Sequence, residues 1–241
     1  MLLVLHPPRF ATDWLDLHLR ALFVHDDRGR IVTRNALDGG PAPRFFLGRT
    51  ADGNRWRFRD DVPDDLAARI EALAAEEPVV ADPREPPRHE ARYRDLLSGH
   101  APVGEVWLGP AYRFPADLPP PDANIVQLTA GNAPLLRGGD LEPWLEDIGH
   151  SEPLVALVRD GRAVSICGSV RVTPEAHEAG VETSAAARGH GFAVAVVAAW
   201  ARAVRDSGAE PLYSTSWENT ASQGVARKLG LTPYASDYWL A

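Results

Sequence analysis

The stretch Val181-Glu-Thr-Ser-Ala-Ala-Ala-Arg188-Gly-His-Gly191-Phe-Ala193 decides how the rest of the chain reads. Val181 to Thr183 reads as the end of a strand. From Phe192 an apolar pattern of helical period begins, with Phe192, Val196, Trp200 and Val204 in step and alanines between them. The turn joining strand to helix holds Arg188, Gly189 and Gly191. Glycines there let backbone N–H groups turn outward into a concave nest, and the helix start adds its partial positive charge. Such a turn attracts a phosphate, with Arg188 as a cation beside it. Glycines also open helices for steric reasons alone, so the turn by itself names no ligand.

A second stretch follows in Asn219-Thr-Ala-Ser222-Gln-Gly-Val-Ala-Arg-Lys228-Leu-Gly230-Leu231-Thr-Pro233-Tyr234. Asn219 reads as a helix cap, Gly230 as the stop, and Tyr234 to Leu240 as a closing strand. Together, Arg-x-x-Gly-x-Ala at Arg188–Ala193 and this capped helix ending in Lys-Leu-Gly resemble the two signatures of the GNAT superfamily, the acetyl-CoA-dependent N-acyltransferases. The resemblance covers Ile125 to Ala241, about half the chain. Lys228 is the only lysine in a chain whose other basic residues are arginines, and it stands where the resembled motif has one.

Composition bounds the alternatives. Of the 241 residues 45% are hydrophobic and 24% charged, which fits a globular protein with a core. A net charge of −8 argues against a general nucleic-acid binder, so an anionic ligand depends on local fields. Cys167, the single cysteine, excludes an intrachain disulfide and reads as a small buried hydrophobe. The apolar run after Met1 is too short for a signal peptide, and no run approaches a membrane span. No membrane contact and a cytoplasmic location are the expectation.

The chain divides by pattern into 1–115, a proline-rich linker at 116–124, and 125–241. The first part reads as an α+β domain. It has a mixed segment at Trp14–Leu22 that reads as helix passing into strand, two hairpins over Leu22–Val32 and Arg44–Arg59, a helix opened by Asp61 and Pro63, and a linker or irregular connection at Pro78–Pro87. Trp56 and Phe58 alternate with arginines, a pattern of a half-buried strand more than of a nucleic-acid surface. Asp95–Gly104 is ambiguous, and Val103–Leu108 with Tyr112–Phe114 suggests one more strand. The second part reads as strand, two short helices (Asn132–Arg137, Leu141–Ile148), three antiparallel strands, helix, strand, helix, strand. That is the order of the resembled fold, a mixed and mostly antiparallel sheet flanked by helices.

The resemblance implies acetyl transfer from acetyl-CoA to the amine of a small or amino-acid-like molecule. The alternatives are a non-catalytic acyl-CoA-binding module and a partner-binding protein that holds no cofactor. Backbone of Arg188, Gly189, His190, Gly191, Phe192 and Ala193 would take the pyrophosphate. Val181, Glu182 and Thr183 would run along the pantetheine arm, and Asn219 and Ser222 would face the cofactor. Strand alternation sends the Glu182 side chain opposite to Val181 and Thr183, which makes it the candidate base, with His177 and Glu178 weaker. A solvated edge carboxylate is the equal alternative for Glu182. One position departs from the pattern, since Ala226 stands where many members carry a tyrosine that protonates the thiolate. The branch related to antibiotic-resistance acetyltransferases shares that small residue and is the one most resembled. The first part is expected to cover the acceptor side of the cleft, or else to serve as a tethered domain for signalling or for a homodimer. No metal ligands stand at usable spacing.

Overall fold

The computed structural model describes residues 12–79, 82–120 and 122–241, so the apolar run after Met1 lies outside the described residues. In chain order the elements are α1 (Trp14–Leu22), β1 (Phe23–His25), β2 (Ile31–Arg34), β3 (Phe45–Thr50), β4 (Gly53–Phe58), α2 (Asp64–Ala75), α3 (Glu90–Ser98) and β5 (Val106–Arg113). The second half follows with β6 (Ile125–Gln127), β7 (Leu154–Arg159), β8 (Arg162–Val172), β9 (Ala176–Thr183), α4 (Phe192–Asp206), β10 (Glu210–Ser214), α5 (Thr220–Lys228) and β11 (Thr232–Leu240). The mixed segment at Trp14 is a full helix, capped by Asp13, whose carboxylate accepts from the Asp16 N–H at 3.1 Å. The ambiguous stretch near Asp95 is the end of α3. The two short helices between β6 and β7 are short 3-10 segments, Ala133–Leu136 and Glu142–Asp147, each with proline in its first positions.

One sheet of nine strands runs β4-β3-β11-β5-β10-β9-β8-β7-β6. Strand β5 precedes the proline-rich stretch, yet it lies antiparallel between β10 and β11, both of which follow it. The expected division at 116–124 is therefore a division of the chain and not of the sheet. Prolines at that stretch stop the strand from continuing, while the N–H and C=O rows of β5 are satisfied by the other half. The irregular connection expected at Pro78–Pro87 is tied down at Pro83. The Pro83 carbonyl accepts from Ser236 Oγ at 2.8 Å and from Trp217 Nε1 at 3.1 Å.

Helices cover both faces. Leu108 and Tyr112 share one face of β5. Leu108 touches the cluster under α2 and α3, and Tyr112 the cluster under α4 and α5, so these four helices lie on one side. Helix α4 buries Val196, Trp200 and Val204 there, the stripe expected from the sequence. Burial raises the Cys167 thiol well above its ordinary range, in keeping with an inert core residue. On the opposite side lie α1, the β1–β2 hairpin and the two 3-10 segments. The molecule is thus an α+β fold with a mixed sheet flanked by helices.

Candidate active site

The site grows from one irregularity of the sheet. Strands β9 and β10 are parallel neighbours only through Glu210↔Ala176, Pro211↔His177 and Leu212↔Glu178. Beyond Glu178 they separate, β10 staying with β5 while β9 stays with β8. From Ala179 to Thr183 the β10-facing edge of β9 has no strand partner among the described residues.

On the α4 side this gap opens into a cleft of about 580 Å³ between the start of α4 and α5. Its floor is Val181 and Thr183, and its end is the turn before α4. Gly189 and Gly191 both take the left-handed conformation, with φ of 83° and 80°. Only glycine adopts such angles without strain, and a side chain at Gly191 would project into open space beside the cleft. The turn leaves the N–H groups of Gly189, His190, Gly191, Phe192 and Ala193 without a protein acceptor among the described residues. Asp140 pins the approach by accepting from the Ala185 N–H at 2.7 Å. Arg188 is exposed at the rim, its Nε 3.4 Å from the Thr183 carbonyl.

Helix α5 forms the other wall. Asn219 caps it, accepting from the Ser222 N–H at 3.0 Å, as expected. Thr220, Gly224, Arg227 and Lys228 also line the cleft. These were not among the expected cofactor residues, although helical spacing from Asn219 puts them on one face. Behind Ser222 stands Tyr213 on β10, its hydroxyl 2.5 Å from Ser222 Oγ. Burial pushes the Tyr213 hydroxyl up to about 12 despite that hydrogen bond, so it is protonated at neutral pH. Ala226 is buried in the core under α4 and does not line the cleft.

Every residue expected to meet the cofactor lines this cleft except His190, whereas the weaker base candidates His177 and Glu178 do not line it. The His190 imidazole is exposed, stacks on Phe192 with centroids 5.4 Å apart and sets Nδ1 at 3.0 Å from the Arg188 carbonyl, so the ring braces the turn from outside the cleft. Glu182 reaches the edge of the cleft from the opposite face, where it is exposed and accepts from Trp144 Nε1 at 2.8 Å. His177 points into the α4 side. Its Nδ1 is 2.9 Å from Ser169 Oγ, and burial lowers its basicity. Among the described residues no group of acidic, histidine or cysteine side chains could hold a metal ion, and no helix is long and apolar enough to cross a membrane.

Successive free N–H donors at a helix start, with Arg188, Arg227 and Lys228 around them, suit a polyanion such as a pyrophosphate. The adjoining Val181, Ala193, Val194 and Val225 suit an extended apolar-amide arm. Nothing among curated proteins matches the chain. Solved structures with a similar course include a GNAT-family acetyltransferase described as putative from Novosphingobium aromaticivorans, 21% identical, with a TM-score of 0.48. That match covers 57% of this chain and 65% of the other, so the chain spans under two thirds of its length. A GCN5-related N-acetyltransferase-like protein from Streptococcus suis is 16% identical over 83% of this chain and 85% of its own, with a TM-score of 0.48. A tandem GNAT protein from the clavulanic acid biosynthesis pathway is 13% identical over 94% and 87%, again at 0.48. None of these matches supports the narrower placing beside antibiotic-resistance acetyltransferases. Residues 155–238 match the family model of GNAT acetyltransferase, and that segment contains all of the cleft's walls. On that match this part of the chain belongs to the GNAT superfamily.

Proposed function

We propose that the protein transfers an acetyl group from acetyl-CoA, bound in the cleft between α4 and α5, to the amine of a small molecule. The observation that carries this is the row of free N–H groups from Gly189 to Ala193 beside the unpaired edge of β9. Those donors would hold the pyrophosphate, and the edge of β9 would fix the pantetheine arm so that the thioester lies in the gap between β9 and β10. Fixing both reactants in this way removes the entropy cost of their encounter.

In the transfer the amine nitrogen bonds to the acyl carbon as the carbon–sulfur bond breaks. An ammonium substrate gives up two protons, one to the leaving thiolate and one to solvent through a base. Tyr213, acting through Ser222, is the proposed donor to the thiolate in place of the tyrosine missing at Ala226. Two carboxylates on the opposite face of β9 are available as base. Glu182 is exposed and held by Trp144, whereas Glu178 is buried. Parallel Glu→Gln substitutions separate them, since loss of a general base lowers turnover by about 10²–10⁴-fold.

Calorimetric titration with acetyl-CoA tests the reading. Gly191→Glu places bulk and like charge at the phosphate turn and should abolish binding. Wild-type affinity in that variant would break the assignment. Binding without thiol release over a panel of amines would leave the non-catalytic acyl-CoA module.

A further inference from the structure

On the α1 side of the sheet, a second cavity of about 360 Å³ lies over the place where β9 and β10 part. Glu178 and Ala179 of β9 and Ser214 of β10 line its floor, two residues from the Val181 that lines the cofactor cleft. Its chemistry is unusual for a space built largely from sheet side chains. Glu178 and Asp237 are 4% and 3% exposed. His18 is fully buried between them, with Nε2 at 2.7 Å from Asp237 Oδ2 and Nδ1 at 3.6 Å from Glu178 Oε2. One imidazolium against two carboxylates leaves one negative charge uncompensated. Both oxygens of Glu178 and Oδ1 of Asp237 have no hydrogen-bond partner among the described residues. Orphaned buried carboxylate oxygens are costly, and a native structure that keeps them has a use for them.

Opposite charges line the same cavity without closing on these groups. Arg171 is the cross-strand partner of Glu178, yet its one hydrogen bond is from Nη1 to the neighbouring Val170 carbonyl. Arg34, from the β1–β2 hairpin, has a buried Nε with no partner among the described residues. Neither arginine forms an ion pair among the described residues. Trp107 and Trp239 stack across β5 and β11, with centroids 5.8 Å apart and planes within 5°, and add an apolar wall.

We infer that this cavity is the acceptor site and that its substrate is a free α-amino acid with an apolar or aromatic side chain. The ammonium group sits at Glu178 and Asp237 beside the opening in the sheet. The carboxylate sits at Arg34 and Arg171, and the side chain lies along Trp107 and Trp239. This rests on the acetyl-transfer reading for its chemistry, and it makes Glu178, not Glu182, the group that receives the ammonium proton before the nitrogen attacks.

The site can be tested without acetyl-CoA. Tryptophan fluorescence would follow binding of the protein amino acids, of their carboxamides, and of matching acids that lack the amine. An apolar or aromatic amino acid should bind, and should lose tenfold or more as amide or des-amino acid. Glu178→Gln and Arg171→Gln should each weaken it about 10–100-fold, the worth of a charge-assisted hydrogen bond. Arg34→Gln, on a part-exposed hairpin, supplies a variant that leaves the buried cluster intact and should act in the same direction. No amino-acid binding, or binding indifferent to the carboxylate, overturns the inference. Thiol release with acetyl-CoA then distinguishes the two readings. Release with carboxylate-free amines alone keeps acetyl transfer and rejects this acceptor. Amino-acid binding by a protein that does not bind acetyl-CoA keeps the cavity's ligand and rejects the transfer.

Discussion

The two cavities that meet at β9 are built in opposite ways. The cleft on the α4 side offers backbone donors from one continuous turn, and its cations sit at the rim where water still reaches them. The cavity on the α1 side draws its charges from α1, β2, β8, β9 and β11, and buries several of them. A phosphate needs many weak, fixed donors, which a glycine turn supplies locally. Selecting a small charged molecule needs a few groups held dry and apart, which only a completed fold can supply. The first design is written in residues that are neighbours in the chain, whereas the second needs residues drawn from both of its ends.

The strongest way to break this contrast is to remove the first half. A fragment of residues 125–241 keeps both signature stretches and loses β5, so β10 and β11 no longer share a strand. It should lack cooperative thermal unfolding and bind no acetyl-CoA. A fragment starting at residue 103 regains β5 and should recover part of both. A monomeric 125–241 fragment that melts cooperatively and binds acetyl-CoA as the full chain does would show that the halves are separable after all.

That experiment also marks what the sequence made legible. Arg188, Gly191 and Asn219 announced the cleft because each acts within a few residues of its neighbours, through φ angle, helix start or cap. The stripe Val196, Trp200 and Val204 announced α4 through its period. The insertion of β5 into the other half had no local signal, since strand pairing is a long-range choice that a segment such as Val106–Arg113 does not encode alone. The face that Glu178 takes depends on where its strand begins, and Ala176 and His177 carry no clear strand signal. Once β9 begins at Ala176, alternation turns Glu178 to the same face as Glu182. His18 and Asp237 lie 219 positions apart, and nothing in either stretch points to the other.

A smaller but still large effect should come from the buried cluster. Burial alone would lower the basicity of His18, but Asp237 and Glu178 outweigh it and push the imidazolium up to about 10 from its ordinary 6.5. A folded-state value above the unfolded one means that the contribution is complete below pH 6.5 and is lost as pH rises through about 10. The Tyr234 ring also packs against it, edge-on with centroids 5.8 Å apart, and burial raises the Tyr234 hydroxyl well above its usual range. His18→Gln should cost about 3–5 kcal/mol near neutral pH, the penalty for stranding buried charge. The gap to wild type in denaturant titrations should close as the pH approaches 10. A gap independent of pH would mean that His18 is held neutral.

The finest test lies on the cleft side, at the buried hydroxyl of Tyr213. Tyr213 and Ser222 form a short hydrogen bond, and only Ser222 lines the cleft. If the pair delivers a proton to the leaving thiolate, Tyr213→Phe should lower turnover while acetyl-CoA affinity stays unchanged. The loss should be near tenfold, below the usual range for a general acid, because a thiol of pKa about 8.5 leaves tolerably well as its anion. Ser222→Ala should reproduce it, since the relay passes through that hydroxyl. The hydrogen bond also holds β10 to the first turn of α5, so either substitution should cost about 1 kcal/mol of stability. A brace and a relay therefore differ in one respect. The relay variants should lose rate most steeply at high pH, where solvent supplies few protons to the thiolate. Loss of stability with an unchanged pH–rate profile would make the pair a brace and leave the thiolate to solvent.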